Sequence, residues 1–178
     1  KLKKFLNEKQ FDENILAKKD PTYPRISIIM PSFNQARFLE KAILSVLNQN
    51  YPNYELFVMD GGSTDGSKEI LEKYDKYITG WVSGQDNGQT HALNKGYKRA
   101  TGEIIGWINS DDFYLPKALF KIAKHFKETP NADVIFSNRL TSNEHDEIVD
   151  ELRFTRFSPK VLQYDGMNFS IHSLFWKK

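Results

Sequence analysis

Three short apolar runs each end abruptly in a polar loop, and this repeated pattern limits the fold more than any other feature. Residues 25–30 run into Pro31-Ser32-Phe33-Asn34, and residues 55–59 run into Asp60 and the loop Gly61-Gly62-Ser63-Thr64-Asp65-Gly66. Residues 104–108 run into Asn109-Ser110-Asp111-Asp112. Runs of this length read as buried strands. Between the first two, residues 37–48 place Phe38, Leu39, Ala42, Ile43, Val46 and Leu47 on one helical face. Residues 67–74, 89–99 and 116–127 read as further helices, the last with Pro116 in its first turn. Residues 78–82 and 134–136 read as further strands. Strands that alternate with helices predict an α/β fold with a mostly parallel central sheet, covered on both faces. Ligands on such sheets bind outside the carboxyl ends of the strands, so the three polar loops are expected to meet at one edge.

The bulk properties narrow the class. A chain of 178 residues suits one domain with a sizeable core. Residues 1–24 read as a lysine-rich arm and a linker broken by Pro21 and Pro24, and residues 25–178 as the folded domain. A formal net charge of +2 does not point to nucleic acid. The absence of cysteine excludes disulfides and thiolate metal sites. No apolar run reaches the length of a membrane span, so the expected location is the cytoplasm, with at most peripheral lysine contact at the inner membrane face. The tail is different in character: residues 139–150 are polar, and residues 151–178 show no helical or strand period.

The loops carry the chemistry. Asp111 and Asp112 end a buried run, where like charges are costly unless a cation joins them. Hard oxygen donors of this kind select Mg²⁺ or Mn²⁺, although an acidic pair also suits a helix cap. A carboxylate at Asp60 accepts but cannot donate, so it suits the N3–H of uracil, which cytosine lacks; capping of the next helix is the other reading. Asp65 is assigned to that capping role. Phe33 is either a stacking surface for a base or a loop anchor. The segment from Gln85 to Asn94 leads into a helix whose start offers N–H groups to an anion such as a diphosphate, with Asp86 or Asn87 as its cap. His91 reads as a structural or surface histidine.

Taken in order, these segments resemble the inverting, GT-A-fold nucleotide-sugar glycosyltransferases of the large family two. The resemblance rests on Ile28-Ile29-Met30-Pro31-Ser32-Phe33-Asn34, on the helix from Glu40 to Gln49, and on Asp60-Gly61-Gly62-Ser63-Thr64-Asp65-Gly66. It continues through Ala92-Leu93-Asn94-Lys95-Gly96, Ala100-Thr101-Gly102-Glu103 and Asn109-Ser110-Asp111-Asp112. It implies a GT-A (Rossmann-like) three-layer sandwich that binds a UDP-sugar donor with Mn²⁺ or Mg²⁺ and serves a glycan or lipid-linked acceptor. Pro31, Ser32, Phe33 and Asn34 would line the nucleoside pocket, and Asp60 would contact uracil. Gly88 and Gln89 would lie beside the donor. Asp112 would be the direct metal ligand, with Asp111 nearer the ribose, and His172 would approach the donor or metal.

The chain also departs from the family pattern. Asn109 stands where many relatives have Asp, and Gly61 replaces the usual second Asp of its loop. The family's general base lies downstream of the segment matching Phe175-Trp176, so it is expected beyond Lys178. An inverting transfer needs that base within hydrogen-bond reach of the acceptor hydroxyl. The expected function is therefore UDP-sugar binding by the donor half of an inverting glycosyltransferase of bacterial surface polysaccharide synthesis, the alternative being a binding domain without turnover. A sugar-nucleotide pyrophosphorylase would need a basic glycine-rich loop after the first strand, and a dinucleotide dehydrogenase a Gly-x-Gly-x-x-Gly; neither is present.

Overall fold

The computed structural model describes residues 12, 14, 16–143, 145, 147–154 and 173–178. The first apolar run forms β1 (Ile26–Ser32), followed by α1 (Ala36–Leu47), β2 (Tyr54–Asp60) and α2 (Ser67–Lys73). A short 3-10 turn, Asp75–Tyr77, leads to β3 (Gly80–Ser83), α3 (Gln89–Arg99) and β4 (Ile104–Trp107). Beyond these come α4 (Ala118–Glu128), β5 (Val134–Phe136), β6 (Arg139–Ser142), β7 (Ile148–Leu152) and β8 (Leu174–Lys177).

Six strands make one sheet in the order β3-β2-β1-β4-β8-β5. The first four are mutually parallel, and β8 runs antiparallel between β4 and β5. The expected α/β architecture with a mostly parallel sheet is therefore correct. β1 and β4 are buried on both faces: Ile26, Ile28 and Met30 pack with Leu39, Ile43, Val46 and Leu119 on one side, and Ile29 and Ile105 with Ala92 and Ala100 on the other.

β1 runs two residues further than its expected end at Met30. Alternate residues of β1 face its two neighbours: Ile29 O accepts from Ile108 N, and Ser32 O from Gly61 N. Pro31 thus faces the β4 side, where pairing has already ended at Ile29. Its missing N–H costs no ladder bond there. The same divergence opens the sheet between β1 and β4, where the strand order reverses.

Two expectations need correction. The helix expected from Pro116 starts at Ala118, because Lys117 takes a left-handed conformation with φ 61°. The tail is not without strands: β6 and β7 pair as a separate antiparallel hairpin, and β8 joins the main sheet. β8 is only four residues long and places Phe175 over Gly106, a pairing with no local sequence period to announce it.

The amino edge of the sheet, opposite the polar loops, is tied by a polar cluster. Ser27 Oγ donates to Glu55 Oε2 at 2.6 Å, and Thr101 donates to Glu55 through both N and Oγ1. Gly102 N donates to Ser27 Oγ at 2.8 Å. Burial works against the charge of Glu55, yet these hydrogen bonds and the Arg25 guanidinium 3.7 Å away hold its carboxyl below the usual glutamate range.

Candidate functional site

The carboxyl ends of β1 and β4, the loop after β3 and the start of α3 surround a cavity of about 480 Å³. Its walls include Pro31 and Ser32 from β1 with Phe33 just beyond it, Gly61 from the β2 loop, Gln85, Asp86 and Gly88 from the β3 loop, and Gln89 and Ala92 from α3. Asn109, Ser110 and Asp111 complete it from the β4 side. The volume falls within the range of small-molecule sites. It also lies where the strand order reverses, the usual ligand position in such sheets.

Two features of the β1 end fit a nucleoside. Phe33 is 61% exposed beside the cavity, so it is not an interior anchor. Ser32 is 6% exposed, and its Oγ is one of two buried side-chain polar atoms without a hydrogen-bond partner among the described residues. A buried hydroxyl left unmatched costs about 1–3 kcal/mol. Ser32→Ala is therefore expected to raise stability by about 1 kcal/mol, or roughly 2–4 °C in melting temperature. It should at the same time weaken nucleotide binding, and calorimetric titration beside thermal melting checks both signs.

The acidic end is held by a relay. Gln89 Nε2 donates to Asn109 Oδ1 at 2.7 Å, and Asn109 Nδ2 donates to Asp112 Oδ2 at 3.3 Å. An amide at position 109 accepts at one end and donates at the other, which a carboxylate cannot do. This accounts for asparagine where an acid is more usual. Asp112 N also donates to Asn109 O, closing the turn. Beneath it Tyr114 is buried and donates to Trp107 O. Burial first, and then the nearby Asp112 charge, push the Tyr114 hydroxyl far above the usual tyrosine range, so it remains a neutral prop.

Several expected site residues sit elsewhere. Asp60 is 1% exposed and does not line the cavity. Its Oδ2 accepts from Gly62 N at 3.1 Å, Ser63 N at 2.9 Å and Ser83 Oγ at 2.7 Å, and Oδ1 accepts from Ser63 Oγ. A carboxylate so occupied organises its own loop. Asn34 likewise does not line the cavity: its Oδ1 accepts from Thr64 N and its N donates to Ser63 Oγ, so it stitches two loops together. Asp112 is not among the residues of the cavity wall. His172 lies outside the described residues.

The capping expectations hold in a modified form. Asp65 accepts from Ser67 N and Oγ with Oδ1, and from Ala36 N with Oδ2, so one side chain serves the starts of α1 and α2. Asp86 Oδ1 accepts from Gly88 N at 2.8 Å just before α3, and α3 itself has no side-chain cap. His91 Nδ1 accepts from Asn87 N, a structural role. Gln35, Gly61 and Ser110 were not anticipated in the wall; no residue type signals them, because only the fold turns them towards the cavity.

No lysine or arginine is among the residues that line the cavity, whereas Asp86 and Asp111 are. No group of three or more potential metal ligands occurs among the described residues. The donor set of Asp111 and Asp112 nonetheless fits a hard cation whose remaining ligands are phosphate oxygens and water.

This sheet, with its cavity at the β1/β4 divergence and its acidic β4 loop, is the GT-A (Rossmann-like) glycosyltransferase fold. The chain belongs to glycosyl transferase family 2, whose family model matches residues 27–176. It is 43% identical over 93 residues to an uncharacterized glycosyltransferase of Haemophilus influenzae, covering 51% of this chain and 37% of that one. It is 36% identical over 92 residues to the putative teichuronic acid biosynthesis glycosyltransferase TuaG of Bacillus subtilis, covering 50% and 36%. Among solved structures, S. aureus TarS 1-349 in complex with UDP-GlcNAc superposes with a TM-score of 0.65 at 21% identity, covering 86% of this chain and 45% of that one. The mannosyltransferase PcManGT from Pyrobaculum calidifontis, in complex with GDP-Man and Mn²⁺, gives 0.59 at 26% identity, covering 81% and 42%. The chain thus spans little more than a third of the length of these curated relatives.

Proposed function

We propose that this chain is the donor-binding part of an inverting glycosyltransferase that takes a UDP-type nucleotide sugar and a divalent cation. The acceptor class is a glycan or a lipid-linked glycan of surface polysaccharide synthesis, a reading supported by the relative named for teichuronic acid biosynthesis. The observation that carries the donor reading is a cavity at the strand reversal that joins the exposed ring of Phe33, the unmatched hydroxyl of Ser32 and the carboxylate of Asp111. Phe33 offers a flat face for the base, and Ser32 offers a donor and an acceptor to its polar edge. Asp111 and Asp112 lie where the diphosphate would enter, beside the start of α3.

The absence of basic side chains from the wall makes the cation necessary to this reading, because two carboxylates beside a diphosphate would repel it. Asp111 and Asp112 would hold Mn²⁺ or Mg²⁺. A bound cation of this kind neutralises the charge that builds on a leaving diphosphate. The residues of this chain bind and orient: Gln89 and Asn109 keep Asp112 in place, and Ala92 leaves room beside the start of α3. Among the described residues no helix is long and apolar enough to cross a membrane.

Thermal melting with UDP and Mn²⁺ tests the reading. At a nucleotide concentration 100 times Kd, binding adds about 2.7 kcal/mol, a shift of roughly 5–11 °C. The shift should need both components. Release of UDP from a UDP-sugar distinguishes an enzyme from a binding domain. A chain that melts unchanged with every nucleotide diphosphate, with and without Mn²⁺, overturns the proposal.

A further inference from the structure

The loop glycine at position 61 leaves a space in the cavity wall, and another residue reaches into it. A Cβ built on Gly61 would lie 3.2 Å from Phe33 Cδ2 and 3.3 Å from Asp86 Oδ1. The Phe33 ring and the Asp86 carboxylate therefore flank a single point, and both line the cavity. Gly61 itself is held by its N–H, which donates to Ser32 O at 2.9 Å. A side chain there would meet the carboxylate; glycine admits it.

Asp86 is held in place while half of its carboxylate is left over. Oδ1 accepts from Gly88 N at 2.8 Å, in a turn where Gly88 adopts φ 94°. No hydrogen bond among the described residues engages Oδ2. An ionised carboxylate can only accept, so its free oxygen selects a ligand group that donates. Asp60, at the end of β2, has both oxygens occupied by Gly62, Ser63 and Ser83. Ser32, whose buried hydroxyl lacks a partner, follows Pro31 on the same wall and can donate to a carbonyl.

We infer that Asp86 is the specificity-determining residue for the base: its free oxygen accepts the ring N–H of a nucleobase stacked on Phe33, while Ser32 serves the adjacent carbonyl. The pair selects bases with a protonated ring nitrogen beside a carbonyl, such as uracil, over cytosine, whose N3 is an acceptor and would face the carboxylate unpaired. This inference rests on the nucleotide-donor reading above. A charge-assisted hydrogen bond lost with its partner left unmatched corresponds to a change of about 10-fold or more in affinity.

The test is calorimetric titration of the chain with UDP and with CDP in Mn²⁺, which differ only at the 3 and 4 positions of the ring. Wild type should prefer UDP by about 10-fold or more. Asp86→Asn keeps an acceptor for Gly88 N and presents an amide N–H in place of the free oxygen. It should weaken UDP by a similar factor and reduce or reverse the preference over CDP. A second variant guards against a local folding failure: Asp86→Ala with Gly61→Asp moves the carboxylate to the other side of the same point and should recover part of the UDP preference. Gly61 has no left-handed φ that would penalise a side chain. An unchanged UDP-to-CDP ratio in Asp86→Asn overturns the inference and leaves the donor reading standing. A wild-type chain that binds neither nucleotide overturns the donor reading itself.

Discussion

Replacing Gly102 by alanine is expected to lower the melting temperature by about 6–12 °C. A Cβ at this buried position would lie 2.6 Å from Ser27 Oγ, 2.7 Å from Ser27 N and 2.8 Å from Arg25 O. Two of those atoms are backbone, held in the register that pairs β1 with β4, so they cannot swing aside. The Gly102 N–H also donates to Ser27 Oγ, which in turn donates to Glu55, so any shift disturbs the polar cluster at the amino edge of the sheet. Overpacking of this kind costs about 3 kcal/mol at its upper range. For a chain of this size each kcal/mol moves the midpoint by about 2–4 °C. Gly84→Ala is the control, because a Cβ there meets nothing within 4 Å. Equal melting of the two variants would refute this account of the Ala100-Thr101-Gly102-Glu103 segment.

The second large effect is chemical. The double variant Asp111→Asn, Asp112→Asn should lose the Mn²⁺-dependent part of UDP binding, a fall of about 100-fold or more, since partners one shell further out already contribute 10–100-fold in such sites. Its stability without metal should hold or rise, because two neighbouring like charges become neutral. The Asn109–Asp112 contact can survive, since asparagine at 112 retains an acceptor. The readout is the difference between calorimetric titrations with Mn²⁺ and with a chelator. A variant that binds UDP as tightly as wild type in Mn²⁺ removes the acid pair from the site.

The two variants separate two kinds of glycine- and acid-bearing motif that look alike along the chain. Gly102 and Glu103 belong to the amino edge of the sheet, where they hold strands together. Asp111, only nine residues after Gly102, belongs to the carboxyl edge, where it faces the cavity. A strand of four residues, β4, carries the chain from one edge to the other. The direction of that strand places the acid pair at its carboxyl end, the ligand edge of such sheets, and the glycine at the other.

Legibility followed the length scale of the signal. The strand and helix alternation was readable because burial on both faces imposes long apolar runs and 3.6-residue periods. Asp65 was readable as a cap, because capping acts over two residues, though its second bond to Ala36 crosses from one loop to another. The hydrogen bonding of Asp60 was not readable, for the complementary reason. An acid at a strand end looks available, yet its oxygens are taken by Gly62, Ser63 and Ser83, the last of which lies on β3. β8 was missed, since a four-residue strand inserted antiparallel between β4 and β5 has no local period.

What the sequence determined by itself is the α/β architecture, the family, and the three loops that meet at the carboxyl edge. These depend on local periodicity and on motifs whose residues are neighbours along the chain. The tertiary structure alone decided which acids are free and which are spent. It buried Asp60 in hydrogen bonds, engaged only one oxygen of Asp86 in the cavity wall, and left the Ser32 hydroxyl without a partner. The physical reason is that a polar side chain's availability is settled by the groups folding brings against it, here both the turn that follows Asp60 and Ser83 on a strand 23 residues away.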